Sequence, residues 1–213
     1  SSSLGAVIMP RTSNLIAENK MDEFKTLIQK SYDFVLALAM PLTVGLIFIS
    51  PSAILLLSGE GFASAILTSQ IIAFNILTVS IAGVMGFQVL YPMGRINTVI
   101  FCTFIGAIVN ILMNVLLTPV YGHNGTAVAY MLAEVAVTFS MFILGRKYIP
   151  IQFFKKEHLH YIIGSVVMGI GLYFISNSQL DNIMMLTFML LVGGLTYVGI
   201  LVVLKDSVSK IIQ

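Results

Sequence analysis

The sequence is 213 residues long, 58% hydrophobic and 9% charged, with a formal net charge of +2. A soluble domain usually carries about 25% charged residues, so this composition excludes an ordinary water-soluble fold and puts lipid around most of the surface. The positive residues sit at the edges of apolar runs and not on one basic face with interleaved aromatics, which excludes a nucleic-acid partner, and the single cysteine, Cys102, can build neither an internal disulfide nor a metal site.

Residues 1–10 are apolar but about half the length of a spanning helix, which needs roughly 20 residues. They read as the end of a severed span, and the chain as the C-terminal part of a longer protein. No basic residue precedes the run, as a secretory signal would require. Residues 11–30 space Leu15, Ile16, Phe24, Leu27 and Ile28 as an amphipathic helix at the membrane interface would. The first complete span covers about residues 31–50, is kinked by Pro41 and is expected to end at Pro51. Residues 52–62 are too short to cross and read as a loop or re-entrant turn. The second span, about 63–91, carries Gln70, Asn75, Ser80 and Gln88, and Pro92 to Arg95 turns the chain back. The third and fourth spans, about 98–120 and 126–144, flank an uncharged loop at 121–125. A basic connector follows, whose Tyr148, Phe153, Phe154 and Tyr161 suit the headgroup zone. The fifth and sixth spans, about 161–175 and 183–204, are almost free of polar atoms and read as lipid-facing.

The expected fold class is therefore all-α: a polytopic membrane helix bundle of about six complete transmembrane helices plus the end of a preceding one. Its segments are 1–30, a span end with a cytoplasmic connector; 31–146, a four-helix part; and 147–213, a basic connector with an additional helix pair. All eleven Lys and Arg residues fall on alternate connectors: Arg11, Lys20, Lys25 and Lys30; Arg95; Arg146, Lys147, Lys155 and Lys156; Lys205 and Lys210. By the positive-inside rule those connectors, and the C-terminus, are cytoplasmic.

Glu134 is the sharpest functional signal, because a carboxylate at bilayer depth costs at least about 2.5–3.5 kcal/mol unless it is protonated, paired or facing water. Tyr130 and Thr138 share its helix face. It either bridges two helices or serves a cavity. Asn110 and Asn114 continue a small and polar stripe from Thr103 and Gly106, whose ordinary meaning is helix packing and whose alternative is a hydrated path for sugar hydroxyls. Gln88 and Arg95 bracket one end of the second span; Arg95 is either a topology determinant or a bidentate phosphate ligand. The residues form no phosphate loop, ligand cluster or carboxylate pair, so no enzyme, no cofactor and no metal is expected.

These residues also carry a likeness. Gln88 followed by Met93-Gly94-Arg95, then GAIVNILMNVLLTPVYGHNG from Gly106 to Gly125, then AVAYMLAE ending at Glu134, resemble the C-terminal region of the polysaccharide-biosynthesis oligosaccharide flippases. Those proteins belong to the multidrug/oligosaccharidyl-lipid/polysaccharide exporter superfamily. Ile8-Met9-Pro10-Arg11 and Ala39-Met40-Pro41-Leu42 fit the same pattern. The resemblance implies two six-helix lobes around a cavity that opens alternately to each face of the bacterial inner membrane. It implies an undecaprenyl-type lipid-linked oligosaccharide as substrate, moved for O-antigen, capsule or exopolysaccharide synthesis. Partners would be membrane lipids, the missing N-terminal lobe and other glycan-assembly proteins. Glu134, Asn110, Asn114, Gln88 and Arg95 are typical of the family at their positions. The alternatives are a cation-coupled multidrug exporter of the superfamily and a membrane enzyme or scaffold of glycan assembly.

Overall fold

A computed structural model describes residues 2–178 and 181–204. Lys205, Lys210 and the expected cytoplasmic C-terminus lie outside the described residues. All regular structure among the described residues is helical. Helix α1 spans Ser2–Ala17, α2 Met21–Ser58, α3 Ala65–Ala73, α4 Asn75–Gly83, α5 Ile96–Gly145, α6 Lys156–Ser176 and α7 Asn182–Val203. A π-helix, Val84–Leu90, continues α3 and α4 into one run, Ala65–Leu90, long enough to cross a membrane. The 50-residue α5 is broken at Gly122 (φ 56°, ψ −135°), a conformation that a Cβ would strain, so of the five helical runs among the described residues that are long and apolar enough to cross a membrane, this one has the length for two crossings. This is the expected polytopic bundle, with only Gly122 leaving helical geometry where a five-residue loop was anticipated.

The other departures have local causes. Helix α2 does not stop at Pro51 but runs on to Ser58. Proline interrupts a helix by removing its own N–H, which orphans the carbonyl four residues back. For Pro51 that carbonyl belongs to Ile47, and it accepts a hydrogen bond from Gln70 Nε2 at 2.9 Å. For Pro41 it belongs to Ala37, and the hydroxyl of Tyr197 donates to it at 2.6 Å. Neighbouring helices re-satisfy both carbonyls, as a membrane interior requires. The last helix pair is therefore more than a lipid-facing surface: α7 carries a hydroxyl that answers the carbonyl Pro41 leaves without an N–H. Tyr161, expected in the headgroup zone, is fully buried, whereas Phe154 is 98% exposed.

The chain forms two compact units. The first comprises residues up to Leu36 together with Leu77–Phe153, the second Ala37–Ile76 and the residues from Phe154 onward. In the first, α1 and α5 both pack on the π-helix, and Phe24, Ile28, Met85, Val89, Leu90 and Cys102 are buried. The two halves of α5 run antiparallel about Gly122: Gly106 lies against Ala133 and Val137, and Gly125 against the backbone of Leu117. In the second, α6 packs along α7, with the Tyr197 ring against Gly164 and with Met168, Leu172 and Met189 buried.

Candidate functional site

The first unit holds the polar groups that sequence spacing singles out, and it sorts them into three arrangements. Asn114 Nδ2 donates to the Asn110 carbonyl at 3.0 Å and to Asn110 Oδ1 at 3.1 Å. Thr118 donates to Asn114 Oδ1 at 2.9 Å, and its hydroxyl lies 3.0 Å from that of Thr126 on the far side of the Gly122 bend. Asn110, Asn114 and Thr118 are half-buried and Thr126 is exposed, so an uncharged ladder of donors and acceptors climbs one helix and crosses to the next. Amides and hydroxyls of this kind match the dual character of sugar hydroxyls.

Glu134 is half-buried on the second half of α5 and shares a side-chain hydrogen bond with Tyr130, one turn earlier. Thr138 turns away from the carboxyl: its hydroxyl donates to the Glu134 carbonyl at 2.8 Å and to the Thr78 carbonyl at 3.1 Å, tying α5 to α4. Of the two hydroxyls on the Glu134 face, Tyr130 is thus the carboxyl's neighbour, while the Thr138 hydroxyl bonds backbone carbonyls.

Gln88 and Arg95 take different roles. Gln88 is 2% exposed inside the π-helix and accepts a 2.6 Å hydrogen bond from the Ser31 hydroxyl of α2. That contact is a buried interlock. Gln88→Leu is expected to cost about 1–2 kcal/mol, since it strands the Ser31 donor in an apolar interior. Thermal unfolding of the detergent-solubilised protein would measure it, and an unchanged midpoint would show the bond to be neutral. Arg95 is exposed and lies 4.3 Å from the centre of the Tyr148 ring. The structure therefore brings Asn110 and Asn114 together, gives Glu134 a separate partner, and buries Gln88 against Ser31.

Sequence spacing missed the Gln29 contacts. Gln29 Nε2 donates to Asp33 Oδ1 at 2.7 Å, and its Oε1 accepts from the Gln152 backbone N–H at 2.8 Å, which ties α2 to the connector after α5. Only the separation of 123 residues hid it. The second unit contains a cavity of about 450 Å³ that is almost wholly apolar, lined among others by Pro41, Gly45, Met168, Gly193 and Gly194. Among the described residues no group of His, Cys, Asp and Glu is placed to hold a metal ion.

Residues 1–193 match the family described as Lipid II flippase MurJ. The chain belongs to the MurJ family. That family lies in the exporter superfamily the sequence resembles. A curated relative, an uncharacterized membrane protein of Methanocaldococcus jannaschii, is 26% identical over 223 residues, covering 99% of this chain and 43% of its own length. The solved structure of a lipid II flippase MurJ in an inward closed conformation superposes with a TM-score of 0.76 at 17% identity, covering 91% of this chain and 41% of that one. At that identity the likeness shows the MurJ fold alone. The chain spans less than half the length of either of these relatives.

Proposed function

We propose that this chain forms part of a transporter, not an enzyme, that flips a polyprenyl-linked saccharide precursor by alternating access, and that the precursor is of the lipid II kind. The observation that carries this reading is the match of residues 1–193 to the MurJ family. An O-antigen, capsule or exopolysaccharide unit on an undecaprenyl carrier shares the same chemistry, but the family match favours lipid II over it. The uncharged ladder from Asn110 to Thr126 supports a saccharide head, because neutral amides and hydroxyls exchange hydrogen bonds with sugar at little desolvation cost. The apolar cavity of the second unit suits hydrocarbon. The basic connectors face the cytoplasm in this reading, so transport runs away from them.

Glu134 is the working residue to test, since Gln keeps its shape and its hydrogen bond to Tyr130 while removing the charge. In a bacterium depleted of its own lipid II flippase, the full-length gene should restore growth and clear lipid II from the inner leaflet. Glu134→Gln, at normal abundance, should slow that clearance about tenfold, equivalent to about 1.4 kcal/mol. Wild type that leaves lipid II wholly on the inner leaflet would overturn the substrate. Equal clearance by the variant would reduce Glu134 to a packing group.

A further inference from the structure

The polar ladder on α5 has a direction, and one backbone carbonyl fixes it. Asn114 Nδ2 lies 3.0 Å from the Asn110 main-chain oxygen, which can only accept, so the nitrogen end of the Asn114 amide faces Asn110 and its oxygen end faces Thr118. Thr118 therefore gives its single proton to Asn114 Oδ1, and the 3.0 Å contact with Thr126 requires Thr126 to donate. At the other end Asn114 Nδ2 also donates to Asn110 Oδ1 at 3.1 Å, which turns the nitrogen of the Asn110 amide away from the ladder. Every proton in the series points from Thr126 toward Asn110.

The series thus ends on the two N–H donors of Asn110 Nδ2, and among the described residues no acceptor meets them. Asn110 is half-buried, and an amide nitrogen facing hydrocarbon costs roughly 2–7 kcal/mol, so these donors require a polar partner. Hydrogen bonds in series polarise one another in a low-dielectric interior, which strengthens the last donor. The surroundings select the acceptor. Contacts at both ends set the register of the α5 hairpin: Thr118 on Thr126 near the Gly122 bend, and Gly106 on Ala133 and Val137 further along. Between them Asn110 comes level with Ala133 and Glu134. A carboxyl at the same height disfavours a phosphate or carboxylate beside the Asn110 donors, and the outward N–H groups disfavour a cation on the amide. The complementary group is a neutral acceptor, and on a saccharide the strongest of these is the amide carbonyl of an N-acetylated sugar.

We propose that Asn110 is a specificity-determining residue, its outward Nδ2 donating to the acetamido carbonyl of an N-acetylated sugar on the transported lipid. The inference rests on the saccharide reading of the ladder and adds to it the substituent that is recognised and the atom that recognises it. Asn114, Thr118 and Thr126 are positioning residues in this scheme: they fix which end of the Asn110 amide turns outward. A sugar with a hydroxyl in place of the acetamido group offers a weaker and shorter acceptor and leaves the amide donors poorly paired.

The test is native mass spectrometry of the full-length protein in detergent, titrated separately with undecaprenyl-pyrophosphoryl N-acetylglucosamine, its glucose counterpart and undecaprenyl pyrophosphate. The N-acetylglucosamine lipid should bind about tenfold more tightly than the glucose lipid. Asn110→Asp keeps the shape of the side chain and the oxygen that Asn114 uses but has no amide N–H, and Asn110→Ala removes the group altogether; both should bring that ratio to about one. The ratio is read within one preparation, so a lower yield of folded variant does not alter it. Equal binding of the two sugar lipids, both tighter than undecaprenyl pyrophosphate, would overturn the acetamido contact and leave the saccharide reading standing. Sugar lipids held no more tightly than undecaprenyl pyrophosphate would overturn both. An undiminished ratio in the two variants would assign the acetamido group to another residue and overturn the role of Asn110.

Discussion

Gly125→Ala is expected to destabilise the first unit by about 3 kcal/mol, the largest effect of any single methyl group in it. The two halves of α5 come closest where Gly125 faces the preceding helix: a Cβ there would sit 2.6 Å from the Leu117 carbonyl carbon and 3.0 Å from the Thr118 nitrogen. Those atoms are backbone, so relief requires the helices to move apart, and overpacking that side chains cannot absorb costs 1–3 kcal/mol or more. Separation would also pull Thr118 from Thr126 and open the upper end of the ladder. Gly106 offers the contrast. Its added methyl would strike a Val137 methyl, a side-chain atom, with the Ala133 carbonyl oxygen in tighter than ordinary contact at 3.2 Å but not overlapping. Gly106→Ala should therefore be rescued by Val137→Ala, whereas no side-chain truncation should rescue Gly125→Ala. Thermal unfolding of the full-length protein in detergent would read both, and a mild Gly125→Ala phenotype would mean the hairpin is looser than the structure has it.

What was legible beforehand follows from how far each signal reaches along the chain. Apolar runs bounded by charges mark spans because the cost of burying charge in lipid is local, and so the later spans could be placed near the limits of their helices, while the first fell inside a helix that runs about eight to ten residues further at each end. That Asn110 and Asn114 share one face was also legible, as a spacing of four on a helix guarantees proximity, although their bond to each other was not among the expectations. Tertiary decisions were hidden. Nothing near Pro51 announces that Gln70 will answer the Ile47 carbonyl, and so the helix was expected to stop. The π-helix has no sequence signature at all; its register is set by contacts such as Ser31 with Gln88 and Gly86 against Met141 and Val99. Aromatic residues misled for the same reason, because a ring such as Tyr161 that suits the headgroup zone suits a core equally well. Glu134 was found by cost, and its helix face named Tyr130 and Thr138 as neighbours; spacing did not say that Tyr130 would pair with the carboxyl while Thr138 bonds backbone carbonyls.

The repair of the carbonyls orphaned by Pro41 and Pro51 leads to a sharper expectation, because proline and its distant donor should be energetically coupled while sharing no side-chain chemistry. Tyr197→Phe removes the hydroxyl that serves the Ala37 carbonyl, and with Pro41 in place no backbone N–H can replace it. The loss should be about 1–2 kcal/mol, the upper range for a hydrogen bond between membrane helices, since the acceptor is left buried. In a Pro41→Ala background residue 41 regains its N–H, the Ala37 carbonyl is satisfied within α2, and the same Tyr197→Phe change should cost almost nothing. A double-mutant cycle would then return a coupling of about 1 kcal/mol or more between residues 41 and 197. The matching cycle of Gln70→Leu with Pro51→Ala should behave alike, as Gln70 serves the Ile47 carbonyl. Equal cost of Tyr197→Phe with and without Pro41 would mean that the ring's packing against Gly164 holds α7, and that the hydroxyl is incidental. Coupling would instead make the last helix pair a structural requirement of the proline-bearing α2, whose Pro41 and Gly45 line the apolar cavity, so that removing α6 and α7 should alter the cavity wall as well as the lipid-facing surface.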